Sequence, residues 1–461
     1  MRHLWIALPF VVACVPMEPP EALPPDPLAL VALRDLDPDP KVVEVSIEAA
    51  IGPQEYLPGK PAEVWGYRDA SLDGSPVRVP GPTLEANQGD TIVVHFRNAL
   101  PVPTTVHWHG LRLPAGADGS TSTQDPIQPG GTYEARFVAG DAGTFWYHPH
   151  VHADEQIERG LQAAFIVHEP EPVEAAADRV LILDDVKLEA TGRLSTTTDA
   201  LDVMLGRQGN VLLVNGLNHP RLSTRPGARE RWRFIDSANG RYFRLHMPGR
   251  SFQVIAWDGG LLEAPYQTDE LLIAPGERYE VLVEPGAELE TLHYDRGHEV
   301  PDPGPKALFS VDVAGDPVAP LPAYAGGGGT AARALVSPST PVRRAVLREQ
   351  DDEAGLRFLI NDQAWPFNTP VMVETGTTEI WEVENNSDMD HPFHIHGLFF
   401  EILDVGGRPP IAIGAKDTVN IPQHQTARLA VRYGALGMWM FHCHILEHAE
   451  RGMMGVLMVM P

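Results

Sequence analysis

Three stretches of the chain, LEANQGDTIVVHFRNAL, LSTRPGARERWRFIDSAN and VMVETGTTEIWEVENNSD, follow one pattern. Each opens like a strand, turns at a glycine (Gly89, Gly227, Gly376), then alternates apolar residues up to an Asn-containing turn. The three glycines stand about one domain length apart. A second match keeps the register: VNG at Val214 precedes the second copy as IND at Ile360 precedes the third. The chain therefore reads as three related β-units in series, at 41–170, 175–325 and 340–461. The GGGG run beginning at Gly326, inside an Ala/Pro-rich segment, suits a linker between the second and third units, and the first boundary falls near HEPEPVEAAADR, from His168. A chain of 461 residues can bury three such cores, and its 44 prolines and 42 glycines suit an all-β, turn-rich protein.

The balance of 35 Lys+Arg against 62 Asp+Glu leaves a formal charge of -27, which repels phosphate backbones and argues against a nucleic-acid partner. The N-terminus reads MRHLWIALPFVVAC, with Arg2 ahead of an apolar run at 4–13 that is too short to span a bilayer. Residues 1–13 are expected to be an export signal, and VVAC resembles a bacterial lipobox that would make Cys14 the lipidated first residue. Residues 14–40 then read as a Pro-rich, acidic tether. These features predict an exported protein, periplasmic or held at the cell envelope as a lipoprotein, whose only membrane contact is a lipid at Cys14.

Ten of the 19 histidines fall in four short words: HWH (His107, His109), HPH (His148, His150), HPFHIH (His391, His394, His396) and HCHILEH (His442, His444, His448). The first two words lie in the first unit and the last two in the third. In an extended strand an H-x-H word puts both imidazoles on one face and the middle residue on the other. Four such pairs can converge on a cleft between the first and third units. Crowded, buried imidazoles need partners, and metal ions supply them, although imidazole alone does not distinguish zinc, copper, iron and nickel. Cys443 is more specific. It faces away from His442 and His444 and so serves a second centre, for which His391, His448 and Met453 are the candidate companions. Two imidazoles, a thiolate and a thioether make a blue-copper electron-transfer set.

The four words, in this order and with HCH-x3-H-x4-M at the end, resemble those of the multicopper oxidases, the laccase-like family built from three cupredoxin domains. The resemblance runs from about Val42 to Met460 and implies three consecutive cupredoxin-like Greek-key β-sandwich or barrel domains carrying four coppers per chain. It implies a type 2 copper at His107 and His394, and a type 3 pair at His109, His148, His150, His396, His442 and His444. The type 1 copper would sit at His391, Cys443, His448 and Met453, with Met454 left in the core. Single electrons from a reducing donor would pass from Cys443 through His442 and His444 to the cluster that reduces dioxygen to water. Proton delivery calls for a carboxylate, and Asp118 stands where relatives place one. Many bacterial relatives carry a second acid directly after the last histidine of the word, but here that residue is Ala449, with Glu450 next.

Cuprous oxidases of the family that these words resemble often carry a Met-rich insert, and none precedes His391 here, so the resemblance implies phenolic donors ahead of Cu(I), with Mn(II) and Fe(II) as the other metal-ion alternatives. A pure electron-transfer cupredoxin, a copperless scaffold or a two-domain nitrite reductase would leave the complete histidine set unexplained. His95, His168, His219 and His246 stand alone and read as structural or exposed. His152 continues the alternation of HPH but lies outside the family pattern. Asp388 and Asp390 read as a solvated turn beside His391.

Overall fold

The computed structural model describes residues 23–195, 197–298, 300, 302–327, 336–353 and 355–461. The expected signal at 1–13 and Cys14 lie outside these residues. No helix among them is long and apolar enough to cross a membrane.

The repeated pattern builds the same corner three times. Strand Leu84–Asn87 turns at Gly89 into Thr91–Asn98, Arg221–Thr224 turns at Gly227 into Glu230–Asp236, and Val371–Glu374 turns at Gly376 into Thr378–Asn385. All three glycines have left-handed backbone, with φ of 92°, 74° and 78°, where a Cβ is strained. The closing turns also correspond. The Asn98 side-chain amide donates to the carbonyls of Val102 and Ile127, and that of Asn385 to Met389 and Ile421.

Each unit is two facing sheets. In the first, one sheet runs Lys60–Asp69, Val42–Leu57, Thr91–Asn98, Thr132–Val138, and the other Leu84–Asn87, Ala163–His168, Gly143–His148, His107–His109. The opening strand pairs parallel with the strand after the glycine corner, and Asp178–Val186 with Glu230–Asp236 and Val342–Asp352 with Thr378–Asn385 repeat this. Parallel pairing of strands so far apart in a mostly antiparallel sheet requires the crossover of a Greek key. The fold is thus all-β, and among the described residues the α-helices are three and short: α1 (Ala153–Glu158), α2 (Ala200–Leu205) and α3 (Leu446–Glu450). They gather where the units meet, since α3 touches both α1 and α2.

The middle unit departs from half-buried alternation for a physical reason. Strand Glu230–Asp236 is buried at every position because its outward residues face the first unit. Arg231 and Arg233 both pair with the carboxylates of Glu280 and Asp178, and Arg233 also donates to Thr144 of the first unit.

The expected tether differs from a free linker over its described part. Residues 31–33 exchange backbone hydrogen bonds with Thr83, Asp26 pairs with Arg179, and the carbonyl of Leu28 accepts from Asn215. The Leu28 side chain is buried in the core of the middle unit. Proline-rich composition prevents regular structure but not docking, because a single apolar side chain and a few backbone bonds suffice to strap the segment down. Leu28→Ala should therefore lower the unfolding free energy by about 2–5 kcal/mol, measured by denaturant titration, whereas a free tether would show no change.

Candidate metal centre

The histidine words sit at strand ends. His107–His109 lies beside Gly143–His148 with His107 opposite His148, so Trp108 enters the core of the first unit while both imidazoles face outward. In the third unit His391–Ile395 lies beside Gly437–Cys443, with Phe393 opposite Cys443 and His394 opposite His442. Period-two alternation then sorts the side chains. His391, Phe393 and Cys443 share the inner face, and His394, His396, His442 and His444 face the first unit.

The eight outward imidazoles meet in a buried cluster. The nitrogens of His150, His396 and His442 form one group, with His150 Nε2 and His396 Nε2 at 3.3 and 3.1 Å from His442 Nε2. His148 Nε2 lies 3.5 Å from His109 Nδ1, and the rings of His109 and His148 lie 4.9 and 5.8 Å from that of His444. His107 stacks on His396 and His109 on His394, both at 4.0 Å, so the first and third units meet through paired rings.

Hydrogen bonds orient these rings. Nδ1–H donates to a backbone carbonyl from His107 (Asp118, 2.8 Å), His394 (Asp417, 2.9 Å), His148 (Pro149, 2.9 Å) and His442 (Cys443, 2.8 Å), and from His396 to the Asp118 carboxylate at 3.0 Å. Each leaves Nε2 as a bare lone pair. His396 Nε2 and His442 Nε2 then face each other with no proton between them, a repulsive contact unless a cation sits there. His107 Nε2, His394 Nε2 and both nitrogens of His444 are buried without any partner. His109 is reversed, its Nε2 directed to Asp417 and Thr418 and its Nδ1 into the cluster. Burial first, and crowding by neighbouring rings second, hold His109, His148, His150, His396, His442 and His444 well below the usual imidazole pKa. They stay neutral, the state in which imidazole binds a metal.

The inner face carries the second group. Cys443 Sγ lies 3.5 Å from His391 Nδ1 and 3.8 Å from His448 Nδ1, and those nitrogens are 3.3 Å apart. Their far nitrogens are occupied: His391 Nε2 donates to Ser387 Oγ at 2.8 Å, and His448 Nε2 donates to the carbonyl of Met204 in α2 at 3.1 Å. Burial pushes the His391 pKa down to about 3 and the Cys443 thiol up, so both groups favour their neutral forms in the absence of a cation. Met453 is buried in the same core as Cys443 and tied to both neighbours, accepting from the Cys443 amide and donating to the His448 carbonyl, each at 3.0 Å. Met454 packs elsewhere, with Met440, Ala449 and Trp365.

The other expected residues divide. Asp118 is buried between His107 and His396; burial alone would raise its carboxyl, but the two histidines hold it well below the usual carboxylate range. Glu450 accepts from the Ala153 amide at 2.8 Å and so caps α1. His152 is exposed at the N-terminus of α1. Of the pair expected in a solvated turn, Asp388 is exposed beside His424, but Asp390 is 2% exposed. It accepts from Tyr294 and Asn420 side chains and the Gln423 amide, so it is a buried connector between the second and third units.

Sequence reasoning missed what the middle unit contributes. Arg278 donates to both oxygens of Asp417, at 2.7 and 2.6 Å, and Asp417 in turn buttresses His109 and His394. In the same turn Gly276 (φ 87°) lies so close to His444 that a Cβ would sit 2.7 Å from its ring. Neither PGER nor KDTV carries a local signal of this, because the ion pair joins residues far apart in sequence.

A buried thiol–diimidazole site on one face of a strand and an eight-imidazole cluster on the other, in a chain of cupredoxin-like units, define a copper-dependent oxidoreductase. Family models described as multicopper oxidase match residues 62–172, 178–291 and 336–461. The multicopper oxidase mco of Staphylococcus aureus is 30% identical over 431 residues, covering 90% of this chain and 88% of that protein. Among solved structures, the multicopper oxidase of Campylobacter jejuni, titled a metallo-oxidase, has a TM-score of 0.82 at 28% identity, with 94% of each chain covered. A laccase-like multicopper oxidase from Ochrobactrum sp., with activity towards lignin model compounds, has a TM-score of 0.80 at 27% identity, covering 94% of this chain and 100% of that one. The chain belongs to the multicopper oxidase family, copper oxidoreductases that use oxygen as acceptor.

Two outcomes follow from this geometry. Arg278→Ala strands the buried Asp417 carboxylate and should cost about 3–5 kcal/mol of stability. The double variant with Asp417→Asn should lose less than the two single losses combined. For pH, an imidazole whose folded pKa is depressed stays neutral in the native state and is protonated in the unfolded chain below about pH 6.5. The unfolded state then binds more protons, so stability is present above that pH and is lost as pH falls. Metal-free protein should destabilise steeply below about pH 6.5, by about 1.4 kcal/mol per pH unit for each such ring, measured by denaturant titration across pH.

Proposed function

We propose that the eight outward imidazoles hold three coppers, with His107 and His394 at one and His109, His148, His150, His396, His442 and His444 at the other two. His391, Cys443, His448 and Met453 would hold the fourth. Bound there, copper would supply one-electron acceptance at the thiolate site and four-electron reduction of dioxygen at the cluster. The observation that carries this reading is the single strand end on which Cys443 faces His391 and His448 while His442 and His444 face the cluster. The chain's own contribution is the wire and the proton path. Cys443 is one residue from His442 and from His444, and the Cys443 carbonyl accepts from His442 Nδ1 at 2.8 Å, which adds a short hydrogen-bonded route beside the covalent one. Asp118, held against His396 and His107, is positioned to hold or pass a proton at the cluster's edge. The residue directly after His448 is Ala449, and Glu450 is committed to α1, so Asp118 would carry this role without an acid at the position where many bacterial relatives place a second one.

Phenolic donors remain the first reading for organic substrates, supported by the laccase-like relative. A metal-ion donor is the second, supported by the metallo-oxidase relative. The export signal, Cys14 lipidation and cell-envelope location stay part of the proposal on sequence grounds.

The purified protein should be blue and bind about four coppers per chain. Cys443→Ser should abolish the blue colour while leaving the cluster largely loaded, and retained blue absorption would refute the assignment. Asp118→Asn should lower kcat for oxygen uptake by roughly 10²-fold or more with KM for the donor little changed.

A further inference from the structure

A buried cation with no assigned role stands behind the thiolate site. Arg296 of the middle unit is 3% exposed. Its carbonyl accepts from the Asp390 amide at 2.8 Å and Gly297 bridges Met389, so its backbone is pinned to the residues just before His391. Its guanidinium reaches the other way, where Nη1 donates to the carbonyl of Gly240. The turn at Asn239 and Gly240 packs against both supports of His448. The Asn239 carbonyl accepts from the Leu446 amide in α3 at 3.1 Å, and a Cβ on Gly240 would sit 2.8 Å from Gly206, two residues beyond the Met204 carbonyl that accepts from His448. Between these ends the guanidinium lies 5.6 Å from the ring centre of Tyr242, which belongs to the same core as Cys443. One side chain thus spans the middle-unit face of the site, from the His391 side to the His448 side.

Stability does not account for a charge at this place. Among the described residues no carboxylate lies within ion-pair distance of Arg296, and its Nη2 is buried without a hydrogen-bond partner. The acids whose charge reaches it are committed elsewhere: Glu447 accepts from the Asn239 side chain and the Arg207 amide, and Asp185 pairs with Arg241. A buried cation in this state costs stability, whereas a neutral glutamine could make the same bond to Gly240. Burial pulls the Arg296 pKa down to about 10, so the charge is kept at neutral pH. It acts on all three groups of the site. Burial depresses His391 first and Arg296 second, and behind larger local causes Arg296 also opposes protonation of His448 and favours the Cys443 thiolate.

We propose that Arg296 sets the reduction potential of the thiolate site, its fixed positive charge favouring the reduced state. The proposal rests on the oxidase reading above and goes beyond it by giving the middle unit a part in electron uptake. When one electron arrives from the donor, a copper–thiolate pair goes from one net positive charge to none, with no bond made or broken. A neighbouring cation in a dry site destabilises the oxidised state more than the reduced one, so the equilibrium moves toward reduction. Being buried, Arg296 acts through the ligand set rather than by touching the donor, and a higher potential widens the range of donors that the site can oxidise.

The test is a redox titration of the blue band in the copper-loaded full chain against a one-electron mediator couple. In Arg296→Gln, which can keep the bond to Gly240 but loses the charge, the equilibrium constant for reduction should fall at least about tenfold, or about 59 mV for one electron. Arg296→Lys, which keeps the charge, should recover most of that drop. Copper content and the wavelength of the blue band should stay as in the unaltered protein, because the ligands are untouched. A Gln variant within roughly twofold of the unaltered protein, or a Lys variant shifted as far as the Gln variant, overturns the proposal. Where Arg296→Gln does not load copper, the apolar Arg296→Met gives the same reading, and loss of the blue band in both means that Arg296 builds the site, which also overturns the proposal. All of these results leave the oxidase reading standing while the unaltered protein is blue and consumes oxygen. A colourless unaltered protein that consumes none overturns both.

Discussion

Bare imidazole nitrogens held face to face in a dry cleft are tolerable only when something positive lies between them. His396 Nε2 and His442 Nε2 are 3.1 Å apart with their protons committed to the opposite ring nitrogens, and the same logic recurs at His391, Cys443 and His448. Much of the surrounding structure serves to hold rings in this otherwise unfavourable state. Carbonyls fix the tautomers, stacked rings from two units fix the planes, and burial keeps the imidazoles neutral. Such a cleft is built at a cost in stability that the bound metals offset.

The middle unit, which has no histidine word, is part of that support. Its Arg278 neutralises Asp417 beneath His109 and His394, its Gly276 lets the chain press against His444, and its α2 supplies the carbonyl that occupies the far side of His448. A three-unit chain thus divides the work. The first and third units bring the proposed ligands, and the middle one braces the ring orientations from behind and covers the thiolate site. The same unit reaches across through Tyr294, which donates to Asp390, and Gly297, which bridges Met389, to the segment just before His391, the other proposed ligand of that site.

Much of this was legible in the chain. The glycine corners recur because a strand that turns sharply into the facing sheet needs left-handed backbone, and the H-x-H words are legible because a strand sorts its side chains with period two. Cys443 could be separated from His442 and His444 by that rule alone. Arg278 and Asp417 escaped because an ion pair between units leaves no periodic or local trace. Asp390 was misread because Asp in a turn is usually solvated, and only the approach of Tyr294 from another unit buries it. The residues from 23 to 40 read as a tether because composition reports the absence of regular structure, not the presence of a docking groove for Leu28.

Sequence by itself determined the three-unit repeat, the four histidine words and the opposed facing of neighbours on the last strand, since these follow from backbone periodicity and turn chemistry within a few residues. Tertiary structure alone decided which imidazole nitrogen points inward, which carboxylates are buried and which segment of the middle unit packs beside residues 389–390. Those depend on contacts between residues hundreds of positions apart, whose hydrogen bonds and charges exist only once the units have packed together.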